Sequence, residues 1–363
     1  MSTKWLPTVR VAACNVAPVF LDTQKTVLKT ISLIQEAARN RADLVVFPET
    51  HLPGYPLWAA LSAPIDNHHF FTTLASQALL LHGPSIKALR EACRQNHIYA
   101  HIGFNERHPS SVGCLYNSSV LISDEGKILN HHRKIVPTFY EKLIWSPGDG
   151  SALKVVDTER LGKVGSLICG ENSNPLARSA LVAQGEMLHV TTWPPVWPTK
   201  RASQAVDTPA RDQCPNLAAN LLIARAASFE GKVFSVMCAG HMDSDMRSTL
   251  IKYCGPSAAE TLDSLQQDAS MFIDPTGSAV GDQVSAEEGI AYADLDLMQC
   301  VEPKQFHDFA GGYQRWDIFD LKVNRRRLGP ENSFSKAETA SEQEGAGDVE
   351  EDGEEPGAPG YSL

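Results

Sequence analysis

The 363-residue chain contains no apolar run long enough to cross a bilayer as a helix. Its longest, Leu217–Phe229, is interrupted by Asn220 and Arg225 and falls short of the roughly 18 residues required. Met1–Arg10 has no apolar leader segment, and the terminal Tyr361-Ser362-Leu363 is not a peroxisomal address, so the expected location is cytoplasmic. No Lys/Arg run or basic face is present, which excludes the electrostatic footprint of a nucleic-acid binder. None of the eight cysteines forms a C-x-x-C pair, which disfavours a disulfide framework and a zinc ribbon. The chain also lacks a G-x-S-x-G elbow, a G-x-x-x-x-G-K-[ST] phosphate loop and a G-x-G-x-x-G fingerprint. The adjacent histidine pairs His68-His69 and His131-His132 do not have the i, i+4 spacing of a zinc helix, and no metal site is expected.

What is present is globular: 43% apolar residues against 21% charged. The formal charge of −11 is concentrated at one end, because residues 331–363 hold ten Asp/Glu and one Lys, a net of −9. With almost no large apolar side chains this segment cannot offset its ordering entropy, and it reads as a disordered acidic tail following a domain over 1–330.

Within that domain strand and helix signals alternate. Strands are expected at Val11–Asn15, Leu44–Phe47, Tyr99–Phe104, Lys163–Ile168, Met187–Thr191, Val233–Cys238, Ser270–Ile273 and Gly289–Leu295. Helices are expected at Thr23–Asn40, Pro84–Gln95, Leu176–Ala183 and Pro215–Glu230, the last largely buried and ending before Gly231. Tyr116–Ile122 and Lys127–Lys134 flank Asp124-Glu125-Gly126 as a hairpin, with Gly126 supplying a positive φ, so the sheet is mixed. The class is α/β in a single domain.

Three strand ends carry candidate chemistry. Cys169 closes the apolar run Val164–Ile168 ahead of a Pro175-led helix, where a helix N-terminus favours a thiolate nucleophile; the competing reading is a small buried hydrophobe. Glu49 follows Leu44-Val45-Val46-Phe47-Pro48, where a carboxylate is expensive to desolvate without a partner. Lys134 closes the strand through His131-His132-Arg133, and Glu141 lies seven residues on, placed to brace it. Groups at strand ends of an α/β sheet converge on one crevice. Taken singly, Lys134 reads as a surface cation and Glu49 as a helix cap. Tyr55, Trp58, Phe139, Tyr140, Trp193 and Trp197 either line an apolar pocket or pack in the core.

Five ordered blocks resemble the nitrilase branch of the carbon-nitrogen hydrolases: Phe47-Pro48-Glu49 with Pro53-Gly54-Tyr55-Pro56; His132 to Thr138 with Glu141 and Trp145; Gly148-Asp149-Gly150-Ser151; Cys169-Gly170-Glu171-Asn172; and Thr192-Trp193-Pro194-Pro195. The resemblance covers about residues 8–325. It implies an αββα sandwich with mixed sheets, pairing of subunits into an αββα-αββα dimer, and larger spiral or filamentous homo-oligomers. It places the family's Glu-Lys-Cys triad on Glu49, Lys134 and Cys169, with Glu141 as a supporting carboxylate, and needs no cofactor. Two departures stand out. Gly170 occupies a position where many relatives have Trp, which alters the pocket wall, and Gly312 stands where relatives often have His.

The implied activity is hydrolysis of an organic nitrile to a carboxylic acid and ammonia through a cysteine thioimidate and thioester, with Tyr55, Gly170 and Trp193 at the substrate. An amidase or cyanide hydratase of the same superfamily is the alternative, and a catalytically silent scaffold is the alternative of another class.

Overall fold

The computed structural model describes residues 5–200 and 214–328; the acidic tail lies outside them. Among the described residues, twelve strands form two six-stranded sheets. They are β1 Thr8–Asn15, β2 Leu44–Val46, β3 Tyr99–His108, β4 Ser111–Ile122, β5 Ile128–Arg133, β6 Val156–Thr158, β7 Gly162–Ile168, β8 Leu188–Trp193, β9 Phe234–Ala239, β10 Ala269–Ile273, β11 Ala279–Ser285 and β12 Gly289–Asp296. The first sheet has the order β12-β1-β2-β3-β4-β5 and the second β11-β10-β9-β8-β7-β6. Each is parallel at its centre, β1-β2-β3 and β7-β8-β9, and antiparallel at its edges. This is the expected mixed αββα sandwich.

The period-2 geometry of β1 shows how the sandwich is built. Val9, Val11 and Ala13 join Leu44 and Val46 against Val164, Leu188, Val190, Phe234 and Val236 of the other sheet. Ala12 and Cys14 point the opposite way, where helices α1 (Thr23–Arg39) and α4 (Pro84–Asn96) add Val27, Ile34, Ile86 and Leu89. A strand covered on both faces needs no polar alternation, and the sequence there is continuously apolar. Helices α5 (Pro175–Val182) and α6 (Asn216–Gly231) form the outer layer on the second sheet, with Ala177 and Leu181 packed on Leu167, and Ala224 beside Met237 and Met271.

The structure departs from the sequence reading at several places. The helix expected to be largely buried, α6, exposes Leu222 and Phe229, because only one of its faces meets the sheet. It also runs through Gly231, and Lys232 takes the left-handed terminal conformation with φ 52°. Strand β3 continues to His108 and pairs with β4, where the sequence reading ends it at Phe104. Helices α2 (Trp58–Leu61), α3 (His68–Gln77), α7 (Ser244–Cys254) and α8 (Pro256–Asp263) have no counterpart in that reading. They pack on one another through Trp58, Phe70, Leu74, Met246, Leu250 and Leu262, a cluster outside the sheet layers. Trp58 stacks on Phe70 at 4.9 Å within it, so this aromatic is core. Among the described residues no helix is long and apolar enough to cross a membrane.

Candidate active site

Glu49 leaves the carboxyl end of β2, Lys134 that of β5, and Cys169 that of β7, so three separated segments deliver their side chains to one point. The Lys134 Nζ donates to Glu49 Oε1 at 2.8 Å and to Glu141 Oε2 at 2.7 Å, with all three side chains buried. One donor atom from each of Glu49, Glu141 and Cys169 lies within 4.8 Å of the others. This donor set is chemically able to hold a metal, but the ammonium of Lys134 already bridges the two carboxylates.

Each member is held locally. Glu49 sits where the Pro48–Thr50 backbone lies flat on β3. A Cβ at Gly103 would stand 2.1 Å from the Pro48 carbonyl oxygen, so only glycine permits this approach. Asn117 on β4 donates Nδ2 to Glu49 Oε1 at 2.6 Å, and Glu49 Oε2 has no partner. The Lys134 amide donates to the carbonyl of the same Asn117 at 2.8 Å. Glu141 lies on the short 3-10 turn Phe139–Leu143; it accepts the Thr138 amide at 2.7 Å and the Tyr55 hydroxyl at 2.6 Å. Tyr55 is therefore 2% exposed and tied to the carboxylate pair.

Cys169 stands at a strand-to-helix bend ahead of the Pro175-led helix, as its sequence position suggests. A 3-10 turn, Cys169–Ser173, intervenes, and α5 is capped separately by Asn174, whose Oδ1 accepts the Leu176 amide. Cys169 itself has φ 50°, a left-handed conformation uncommon for a residue with a side chain. Glu171 accepts the amides of both Ile168 and Ile135, joining the backbone beside Cys169 to the backbone beside Lys134. Its remaining partner is His132 Nε2 at 2.8 Å, while the neighbouring His131 faces the other side of β5 and reaches Glu106. The two histidines thus serve different carboxylates.

The electrostatics follow from burial of several charges together. Glu49 is pushed up to about 7, because burial and Glu141 raise it by more than Lys134 and Asn117 lower it. Burial, reinforced by Glu49 and Glu141 and opposed by Lys134, pushes the Cys169 thiol well above its ordinary value. Burial alone would lower Lys134, but Cys169 and the two carboxylates hold it charged. Glu171 is held low despite burial, by His132 and the two backbone amides. The Cys169 thiol is thus pushed up beside a carboxylate that titrates near 7, and the Lys134 ammonium opposes both shifts.

Of the expected substrate-side residues, Trp193 follows Thr192, the β8 partner of Ile168, so it lies level with Cys169 and packs in the same apolar cluster. Gly170 is partly exposed, and a Cβ there would stand 3.0 Å from Thr138 Oγ1. Tyr140 stacks on Trp197 at 5.8 Å, and its ionisation is influenced by Glu141, Cys169 and Glu49. Asn117, Thr138 and Glu171 were not distinguished as site residues by the sequence. The signal for Asn117 was available only as a polar residue inside an apolar strand.

The carbon-nitrogen hydrolase family model matches residues 10–305. The chain belongs to the carbon-nitrogen hydrolase family. It is similar to a cyanide hydratase of Botryotinia fuckeliana, 32% identical over 88% of this chain and 83% of the relative. It is also similar to a nitrilase of Penicillium rubens, 32% identical over 87% and 93%, and to an arylacetonitrilase of Aspergillus kawachii, 33% identical over 93% and 98%. Among solved structures it resembles a carbon-nitrogen hydrolase of Helicobacter pylori, with a TM-score of 0.67 at 19% identity, covering 86% of this chain and 97% of that one. A Saccharomyces cerevisiae nitrilase-superfamily protein gives 0.63 at 20% identity, covering 88% and 100%. This carbon-nitrogen hydrolase is a nitrilase-branch member and a hydrolase acting on carbon-nitrogen bonds.

Proposed function

We propose that the protein is a nitrilase converting an organic nitrile and two waters to a carboxylic acid and ammonia. The observation that carries this reading is the unpartnered Oε2 of Glu49 in the same buried cluster as the Cys169 sulfur. Glu49 takes the thiol proton as sulfur attacks the nitrile carbon, and that proton passes to the nitrogen, giving a thioimidate. General-base removal during attack suits a thiol whose own ionisation is suppressed. Lys134, held cationic between two carboxylates, stabilises the charge that develops on the intermediate, and the amide of Gly170 lies beside the sulfur. Glu49 then activates water; expulsion of ammonia leaves a thioester, which a second water hydrolyses. Glu141 holds Lys134 in place. Tyr55, Gly170 and Trp193 complete the substrate side, Tyr55 through its bond to Glu141.

A cyanide hydratase or amidase uses the same groups, and the hydratase reading is favoured by a relative of that name at equal identity. The outcomes differ in whether nitrogen or sulfur leaves the tetrahedral intermediate. Assay of ammonia, acid and amide from a panel of aliphatic nitriles, aryl nitriles, arylacetonitriles, cyanide and amides separates them. Cys169→Ala is expected to remain folded and release no ammonia; a variant retaining most activity would refute the nucleophile. Homo-oligomerisation belongs to the same proposal. Leu176 on α5 and Leu222 and Phe229 on α6 are exposed apolar side chains that a second copy would cover, and light scattering reads the subunit number.

A further inference from the structure

The left-handed backbone at Cys169 is held from one side by Asn172. Its Nδ2 donates to the carbonyl oxygen of Cys169 at 2.9 Å and to that of Leu167 at 3.2 Å. Two carbonyl acceptors fix which end of the amide is nitrogen, so Oδ1 faces away, 2.8 Å from His189 Nε2. The other ring nitrogen, Nδ1, lies 2.7 Å from Glu186 Oε1. The donor inventory of this chain is restrictive. An amide oxygen only accepts, so Nε2 must carry hydrogen; an ionised carboxylate also only accepts, so a hydrogen must lie between Nδ1 and Glu186 as well. Both contacts therefore hold together only when the His189–Glu186 pair carries one proton more than a neutral imidazole with a carboxylate. The two residues are each 2% exposed and Asn172 is 1% exposed. Glu186 Oε1 occupies the space above Gly165 of β7, 1.9 Å from where a Cβ would stand, so the strand is built to admit it.

We propose that Glu186 and His189 form a proton-dependent clamp which, through Asn172, positions the Cys169 elbow for attack. The inference rests on the reading of Cys169 as nucleophile, and both residues are positioning residues that do not touch substrate. Loss of the shared proton leaves the single ring hydrogen on Nδ1, bonded to the carboxylate at 2.7 Å, and turns the Nε2 lone pair toward Asn172 Oδ1 at 2.8 Å, a repulsion that breaks the hold on Asn172. Glu186 and His189 line a cavity of about 260 Å³. Arg178 of α5 and Glu230 of α6 also line it, paired at 2.9 Å, so their charges offset one another. Lys163 of β7 lies against Gly185, and Glu171 is engaged with His132. The residues level with His189 on β7 and β9 are Gly165 and Ser235, both uncharged.

The test is the pH dependence of kcat and KM for the full chain and two variants, with trapping of the acyl-enzyme on Cys169 read by mass spectrometry. In Glu186→Gln the new amide donates to Nδ1, leaving a neutral ring whose Nε2–H still reaches Asn172. This variant is expected to keep kcat at pH 7 within about threefold and to lose the clamp's step from the pH profile of kcat. His189→Ala leaves Asn172 Oδ1 unpaired and is expected to lower kcat about tenfold or more with KM unchanged and the folded fraction native by circular dichroism, so that the loss lies in turnover and not in folded enzyme. Should His189→Ala not fold, His189→Gln combined with Glu186→Gln replaces it, with the same loss of the clamp's pH step expected. A pH profile of kcat in Glu186→Gln identical to that of the native chain, or native kcat in His189→Ala, overturns the clamp. An adduct absent from Cys169 in the native chain overturns the nucleophile reading instead, so the two failures are distinguishable.

Discussion

Asn117 Nδ2 and Lys134 Nζ donate to the same oxygen of Glu49, at 2.6 and 2.8 Å, and leave its second oxygen without a partner. A carboxylate with one oxygen saturated and the other open is an oriented base. Asn117→Leu removes a donor that favours the ionised form, so Glu49 should titrate above its present value of about 7. The expected result is a loss of about 10- to 100-fold in kcat/KM at neutral pH, matching the roughly 1.5–3 kcal/mol of a hydrogen bond to a charged group. Steady-state kinetics across pH checks it: the acidic limb should move upward.

In the native chain kcat/KM should fall as pH drops through about 7, since protonated Glu49 cannot accept the thiol proton. Stability responds in the opposite sense. A carboxyl raised from 4.5 to about 7 on folding contributes fully below about 4.5 and loses that contribution as pH rises through about 7. Glu49→Gln is therefore expected to abolish turnover while flattening the stability profile between those limits. Urea midpoints measured at intervals from pH 4.5 to 8 decide this.

Lys134→Met should cost more than activity. It leaves Glu49 and Glu141 buried without their shared cation, and a broken buried ion pair costs about 3–5 kcal/mol. Lys134→Arg is not expected to rescue function, because a planar fork does not reproduce a point charge between two carboxylates. Denaturation midpoints and ammonia release, measured together, report both effects.

Glu106 supplies a contrasting carboxylate. Burial opposes its charge, yet His131, and Arg133 through two hydrogen bonds, hold it well below the ordinary carboxyl range. Its contribution is present above the unfolded value and lost as pH falls through the folded one. Glu106→Gln is expected to lower stability by about 3–5 kcal/mol at pH 7, with a difference from the native chain that narrows in acid. Equal stability of the two proteins at pH 7 would remove the triad of Glu106, His131 and Arg133 from the account of how β3 and β5 are held across β4.

Trp193→Ala should alter KM unequally across aliphatic and aryl nitriles, because the indole shares the Cys169 cluster. Unchanged kinetics over the panel would take Trp193 out of the substrate site. Gly170→Trp should narrow the accepted range, since its Cβ meets Thr138 Oγ1 at 3.0 Å and Thr138 also holds Glu141.

Much of this protein was legible in its residues. Continuous apolar stretches such as Val11–Asn15 announced doubly covered strands, and a carboxylate, an amine and a sulfur each placed at a strand end pointed to a shared crevice. Local chemistry determines these features, because strand propensity and the desolvation cost of a terminal charge act within a few residues of sequence. Helices α3, α7 and α8 were not visible in that way. Their apolar positions are satisfied by one another across more than 170 residues of sequence, and only the packed cluster explains them.

Sequence alone determined which residues carry charge, sulfur and apolar surface, and in what order along the strands. Tertiary structure decided their surroundings: which charges face the buried Cys169 sulfur, which oxygen of Glu49 is open, and that Asn117 and Glu171 hold the site. The physical reason is that ionisation and hydrogen-bond pairing depend on the sum of burial and every neighbouring charge, and those neighbours come from segments far apart in the chain.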